Sequence, residues 1–173
     1  MSDEPRSNFE RLALRFFKQA MDRLSTDYSV DYKRYNSGTL EFRTSNLTVP
    51  YIKPFLRLGL YGEATSTLIE HLEVCPSYRN KGLASAALRA LCKAADRCSQ
   101  RLTLFVSPYP VPGLEDTAPH SASYLREFYE RRDFAVDPFA VCSGIMARQP
   151  STLGVRDSAL PSAKRAQGSV VHV

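Results

Sequence analysis

With 173 residues, 43% of them hydrophobic and 24% charged, the chain has the size and composition of one ordinary domain with a sizeable core. Its formal net charge of +5 accommodates an anionic ligand or partner but does not demand one. Four cysteines without a C-x-x-C pair, with only three histidines, exclude the usual structural zinc patterns, and no apolar run approaches the ~20 residues of a membrane span.

The opening stretch, MSDEPRSNFE, is polar and partly acidic and has no apolar signal-peptide region. The expected location is therefore cytoplasmic, with Cys75, Cys92, Cys98 and Cys142 as free thiols. Ser7 and Glu10 stand at capping-box spacing ahead of Phe9, Leu12, Phe16, Ala20 and Leu24, which predicts an amphipathic helix over roughly 7–25. "YSVDYKRYNSGTLEFRTS" alternates polar and apolar residues on both sides of Asn36-Ser37-Gly38, the pattern of a hairpin. "LTVPYIKPFLRLGLYG" carries Pro50 and Pro54, which predict short strands broken at an edge or bulge. "STLIEHLEVCP" (66–76) predicts a strand that stops at a proline. From Gly82 to Cys98, the stripe Leu83, Ala87, Leu91, Ala94 and Cys98 opposes Ser85, Arg89, Lys93 and Arg97, which predicts a helix.

"RLTLFVSP" then predicts a strand, 108–120 a proline-rich loop, "SASYLREFYERRDF" a second helix, and "AVDPFAVCSGIMAR" a last short strand. The order implies an α+β fold, antiparallel early and β-α-β late, with a switch from antiparallel to parallel pairing. Residues 1–149 read as a single domain and 150–173, rich in Ser, Ala, Pro and Arg, as a tail, flexible or docked on a partner.

The stretch "CPSYRNKGLASAALRAL" turns from polar and basic to helix-forming at Gly82. A strand that stops before a glycine-opened helix leaves backbone N–H groups unpaired, at the positive end of the helix dipole. Glycine lets a phosphate approach the backbone, and Arg79 and Lys81 add full charges. The plainer alternative is a turn glycine among solvated surface charges. Neither G-x-x-x-x-G-K-[ST] nor G-x-G-x-x-G is present.

"LEVCPSYRNKGLASAAL" (72–88) resembles the acetyl-CoA-binding motif of the GNAT superfamily of N-acetyltransferases, V-x-P-x-x-R-x-x-G-x-[GA]. Val74, Pro76, Arg79, Gly82 and Ala84 fall on that pattern. "FYERRDF" (128–134) is similar to the family's second signature, [LF]-Y-[EK]-x-x-G-F, with Asp133 in place of glycine. Ala122 stands where an asparagine often precedes the tyrosine by seven residues. The resemblance implies a mixed, mostly antiparallel sheet with its parallel switch between strands 4 and 5. It implies acetyl-CoA as co-substrate, no metal, and cofactor contacts from Leu72, Val74, Arg79, Asn80, Lys81, Gly82, Leu83, Ala84 and Ser85.

On the same ground it implies N-acetylation of a primary amine on a small molecule or protein. An amine with a pKa near ~10.4 must first lose a proton, and the departing thiolate must gain one. The resemblance puts Tyr129 in the place of that acid, directed by Leu125 and Phe128 in the core; otherwise it is one more packed aromatic. For the base it points to Glu70, with His71 and Glu73 as competitors. In a regular strand those two face away from Glu70, and a bulge would reverse the choice. Cys75, ahead of a proline, reads as an unreactive thiol. Glu115 and Asp116 could attract a cationic acceptor or merely solvate their loop. Two other functions compete: a catalytically silent acyl-CoA-binding module, and a small basic nucleic-acid-binding protein using the "SAKRAQ" tail. Scattered, acid-interleaved basic residues speak against the latter. No membrane partner is expected, and homodimer formation is open.

Overall fold

A computed structural model describes residues 5, 7–48, 54–62, 65–107, 121–138, 140 and 144–151. Helix α1 (Asn8–Asp22) opens on the capping box: the Ser7 hydroxyl accepts from the Glu10 N–H at 3.0 Å, and Glu10 accepts from the Ser7 N–H at 3.1 Å. The helix ends earlier than expected and its buried face is Phe9, Ala13, Leu14, Phe16, Phe17 and Met21. Leu24 lies beyond the end and is exposed, while Leu12 and Ala20 sit at the margin. The stripe is shifted because α1 packs mainly on α2 (Leu83–Cys98) and more lightly on the sheet.

Seven strands form one sheet in the order β1-β2-β3-β4-β5-β7-β6. β1 (Tyr28–Arg34) and β2 (Leu40–Asn46) make the expected hairpin, closed by Gly38 at φ 95°, a conformation glycine adopts freely. β3 (Leu56–Gly62) lies inside the sheet between β2 and β4. The short, edge-broken strands expected here are thus a single interior strand. Pro54 precedes it, and Pro50 lies outside the described residues. β4 (Ser66–Val74) is antiparallel to β3 and parallel to β5 (Arg101–Phe105), so the switch falls between strands 4 and 5. The last expected strand is two: β6 (Ala135–Val136), antiparallel to β7 (Ile145–Arg148). The loop 108–120 and residues 152–173 lie outside the described residues.

Cross-strand neighbours share a face. Leu40–Leu60–Ile69 and Phe42–Leu58–Leu72 point one way, and with Leu102, Leu104 and Met146 they meet α1 and α2 in one core. Phe17 of α1 lies 5.5 Å from Phe42, centroid to centroid. Each such fully buried side chain contributes about 1.5–3 kcal/mol. Glu41–Gly59–His71 and Arg43–Arg57–Glu73 point the other way. That face is polar.

Candidate active site

The strand-to-helix connection explains why these residues stand where they do. After Val74 the Cys75 N–H donates to the Phe55 carbonyl at 2.8 Å, and Pro76–Tyr78 make one 3-10 turn. Arg79 folds back, its Nε donating to the Val74 carbonyl at 3.2 Å. Part of its guanidinium is thus spent on holding the turn. Lys81 lies over the Tyr78 ring at 4.6 Å, and Tyr78 stacks on Phe55.

Asn80 and Gly82 both have left-handed backbones, φ 61° and 78°. Gly82 is the N-cap of α2 and supplies no side-chain cap. The first intrahelical bond runs from Ala86 N–H to the Gly82 carbonyl, which leaves the N–H groups of Leu83, Ala84 and Ser85 without a helical acceptor. A Cβ at Gly82 would meet no atom within 4 Å. Among the described residues, open space therefore lies in front of the donors.

β4 keeps its parallel partner only from Ser66 to Ile69. Beyond that point Glu70 is unpaired and His71 to Val74 are paired with β3 alone, so among the described residues their β5-facing edge is open to an extended ligand. This edge leads directly to the Gly82 turn. A cleft of about 1210 Å³ runs along both and reaches Tyr129. Of the nine expected cofactor residues, Leu72, Val74, Arg79, Asn80, Gly82, Leu83, Ala84 and Ser85 line it; Lys81 does not.

Helix α3 (Ala122–Glu130) carries Tyr129 to the cleft. Leu125 and Phe128 are only half-buried, and α3 buries no side chain fully; Phe134, just after it, fills the core instead. The expected core anchors are therefore corrected. Tyr129 is half-buried between Phe128 and Phe134, and burial pushes its phenol up to about 12, offset in part by the Arg132 charge. Asp133 adopts φ 64°, so it makes the left-handed turn for which the family pattern has glycine. Arg132 spans the gap to α2, donating to Ser85 Oγ and to the Phe128 carbonyl, both at 2.5 Å. Burial, then repulsion from Arg89 and Arg131, lowers its pKa. This cluster of like charges beside the first turn of α2 favours an anion.

At Gly59/Leu60 the β3–β4 register shifts: Gly59 pairs with His71 and Leu60 with Ile69, leaving Glu70 as the extra residue of a bulge. Glu70 is exposed, lines the cleft and has no hydrogen-bond partner among the described residues. His71 and Glu73 also line the cleft, on the polar face. Sequence reasoning missed what stands behind them. Glu41 is 1% exposed, and its Oε2 accepts from Arg57 Nη2 at 2.8 Å and Nε at 3.1 Å and lies 3.0 Å from His71 Nε2. Tyr35 donates to Oε1 at 3.0 Å. Burial would raise the Glu41 pKa, but the hydrogen bonds from Arg57 and Tyr35 and the charges of Arg57 and His71 hold it below the ordinary value. The available signal was a lone glutamate in "GTLEFRTS", in a strand otherwise destined for the sheet interior.

Cys75, Cys92 and Cys98 are free; burial pushes the Cys92 thiol up to about 11. Among the described residues no group of His, Cys, Asp or Glu could hold a metal ion, and no helix is long and apolar enough to cross a membrane.

Residues 51–111 match the model of the acetyltransferase (GNAT) family, a segment that includes the first motif but not the second. Among curated proteins no sequence matches the chain. A GNAT family acetyltransferase from Elizabethkingia anophelis, solved with acetyl-CoA bound, superposes with a TM-score of 0.50 at 8% identity, covering 72% of this chain and 99% of that one. AtaTR bound with AcCoA gives 0.50 at 9% identity, over 72% and 94%. The ribosomal-protein-S18-alanine N-acetyltransferase of Escherichia coli gives 0.48 at 16%, over 80% and 90%. The resemblance seen in 72–88 lies within the segment that the family model matches, and the fold agrees with it: this is the GNAT fold.

Proposed function

We propose that the chain is an acetyl-CoA-dependent N-acetyltransferase that acetylates a primary amine of a small molecule or protein, with residues 1–149 as its cytoplasmic catalytic domain and 150–173 as a tail. The carrying observation is that, among the described residues, the β4 edge from Glu70 to Val74 is open and leads through one 3-10 turn to the uncapped, unobstructed first turn of α2 at Gly82. An extended chain with a pyrophosphate at one end suits that path. The acetyl-CoA in two proteins of the same fold supports the choice.

Acetyl-CoA would supply an activated acetyl thioester. The N–H groups of Leu83, Ala84 and Ser85 would bind its phosphates, helped by the nearby Arg132, Arg131 and Arg89. Leu72 and Val74 would fix the extended arm through their open backbone edge. Tyr129, protonated at neutral pH, would donate to the departing thiolate. Two groups at the bulge can take the amine proton, Glu70 and His71.

Thermal melting with acetyl-CoA and thiol release with a panel of polyamines and lysine peptides test this. Acetyl-CoA at a hundredfold excess over Kd should add about 2.7 kcal/mol, a Tm rise of about 5–10 °C for a chain of this size. No rise defeats the reading. A rise without thiol release from any amine would leave a silent acyl-CoA-binding module in its place.

A further inference from the structure

Glu41, Gly59 and His71 lie in one row across β2, β3 and β4. The imidazole fills the space over Gly59: any Cβ there would collide with Cε1 and both ring nitrogens. That missing side chain lets His71 reach Glu41 on the strand beyond, Nε2 to Oε2 at 3.0 Å. Nδ1 has no partner among the described residues, the side chain is 30% exposed, and the residue lines the cleft beside the bulge. The partner at Nε2 is a carboxylate, which accepts, so Nε2 is the donor to it, and in the neutral tautomer that fits this bond Nδ1 holds the lone pair.

From this we propose that His71, oriented by Glu41 through the gap at Gly59, is the group that takes the proton from the acceptor amine, and that Glu41 is its positioning residue. The inference rests on the acetyl-transfer reading. In the step, the N–H bond of the substrate ammonium breaks. Its electron pair stays on nitrogen as the nucleophile, and the proton passes to Nδ1. The imidazolium so formed is paired with the buried Glu41 carboxylate and later returns its proton to water.

The surrounding charges fit this arrangement. Arg57 on β3 already binds Glu41 and, at 3.5 Å, Glu73; Tyr35 donates to the other Glu41 oxygen, and Lys33 lies over the Tyr35 ring. With Glu70 and Glu73 on β4, three carboxylates stand against two cations around the ring, and the imidazolium formed in the step makes the third cation. Stability alone gives little reason to retain a buried charge, because apolar replacements of such groups are often neutral or better. Glu70, by contrast, has no partner among the described residues that would fix its direction.

The test uses the full chain, its histidines labelled with 15N. Only three histidines exist, so His71→Gln assigns the His71 signals. In the neutral form of His71 the expected spectrum shows Nε2 protonated, its Nε2–H protected from exchange with water, and Nδ1 bare. Glu41→Gln should lose that protection, and Gly59→Ala should displace the ring if Glu41→Gln folds poorly. A proton on Nδ1, or rapid exchange at Nε2 in the wild type, overturns the proposal whether or not an acceptor amine is known. With any amine that the panel shows to be acetylated, His71→Gln should lower kcat by about 10²–10⁴-fold, at least tenfold more than Glu70→Gln. The reverse order overturns it too. Acetyl-CoA should still raise the Tm of His71→Gln; a wild type that shows no rise indicts the acetyl-transfer reading instead.

Discussion

Arg132, in the turn after α3, donates from Nη2 to the hydroxyl of Ser85 in the first turn of α2, 2.5 Å away. The same guanidinium lies 4.0 Å over the Phe128 ring and bonds the Phe128 carbonyl. α3 has no fully buried side chain of its own; Phe128 and Tyr129 pack at the margin of the core, and Arg132 ties the helix to the glycine turn. A hydrogen bond to a charged group contributes about 1.5–3 kcal/mol, and partial exposure puts this one near the low end. Arg132→Met keeps the stem and removes the fork. Amide exchange in α3 should then accelerate about tenfold, and acetyl-CoA should bind about tenfold more weakly. Unchanged exchange would show that α3 is held by something else.

Gly82 has two reasons to be glycine, and they separate experimentally. Its φ of 78° disfavours side chains, worst of all β-branched ones, while no described residue comes within 4 Å of where its side chain would begin. Gly82→Val meets both objections and should abolish the acetyl-CoA-induced rise in Tm. Asparagine tolerates the left-handed region, so Gly82→Asn should fold with a Tm close to wild type. If close approach of a phosphate is the function, Gly82→Asn also loses acetyl-CoA affinity, by tenfold or more. Wild-type affinity in either variant would remove the phosphate from this turn.

Local signals accounted for the parts of the fold that are local. The Ser7–Glu10 capping box, the α2 stripe from Leu83 to Ala94 and the Gly38 hairpin each need only a few adjacent residues. The open β4 edge was legible at one remove, since a strand–helix–strand unit implies a parallel pair. Glu41 was not, because its role exists only after β2, β3 and β4 pair in one register with a bulge at Glu70. No short-range pattern encodes that register. The α1 face was misjudged for a related reason. Apolar residues fill more than one helical row here, and packing mainly on another helix selects the row through Ala13, Phe17 and Met21 over the one through Leu12, Ala20 and Leu24.

Arg148 and Asp96 form a two-pronged ion pair, 2.8 and 3.0 Å, that also receives the Ser151 N–H at 2.8 Å. The pair ties β7 to α2. Burial would raise the Asp96 pKa, but the bonds from Arg148 and Ser151 lower it below the ordinary carboxylate value. A depressed folded pKa means stability that is present above the unfolded value of ~3.9 and lost as pH falls through the folded one. Breaking a fully buried pair costs about 3–5 kcal/mol. Asp96 is 23% exposed, so Arg148→Met should cost less, about 2 kcal/mol, or 4–8 °C in Tm. Urea melts at pH 7 and below pH 3 check it. The gap between wild type and variant should shrink at the acid end, and a constant gap would mean that packing of the arginine stem, not charge, is what is lost.

Tyr129 is tested by separating its ring from its proton. The ring meets Phe128 at 5.2 Å and Phe134 at 5.8 Å, and both contacts survive in Tyr129→Phe. If packing were its whole purpose, the variant would be indistinguishable from wild type. As the acid for the departing thiolate, its loss should lower turnover by about 10²–10⁴-fold while acetyl-CoA affinity stays within a few-fold. An unperturbed phenol would begin to ionise near ~10, but burial pushes Tyr129 up to about 12. The wild type should therefore show no loss of its acid up to roughly pH 11. The same shift has a stability signature with a definite sign. The unfolded chain releases the phenol proton near ~10 and the folded one near 12, so stability falls as pH rises between them. Tyr129→Phe should remove that decline, which shows the proton's contribution even without an acceptor amine. Turnover within a few-fold of wild type, with the alkaline decline gone, would leave Tyr129 a half-buried packing phenol and pass protonation of the thiolate to water.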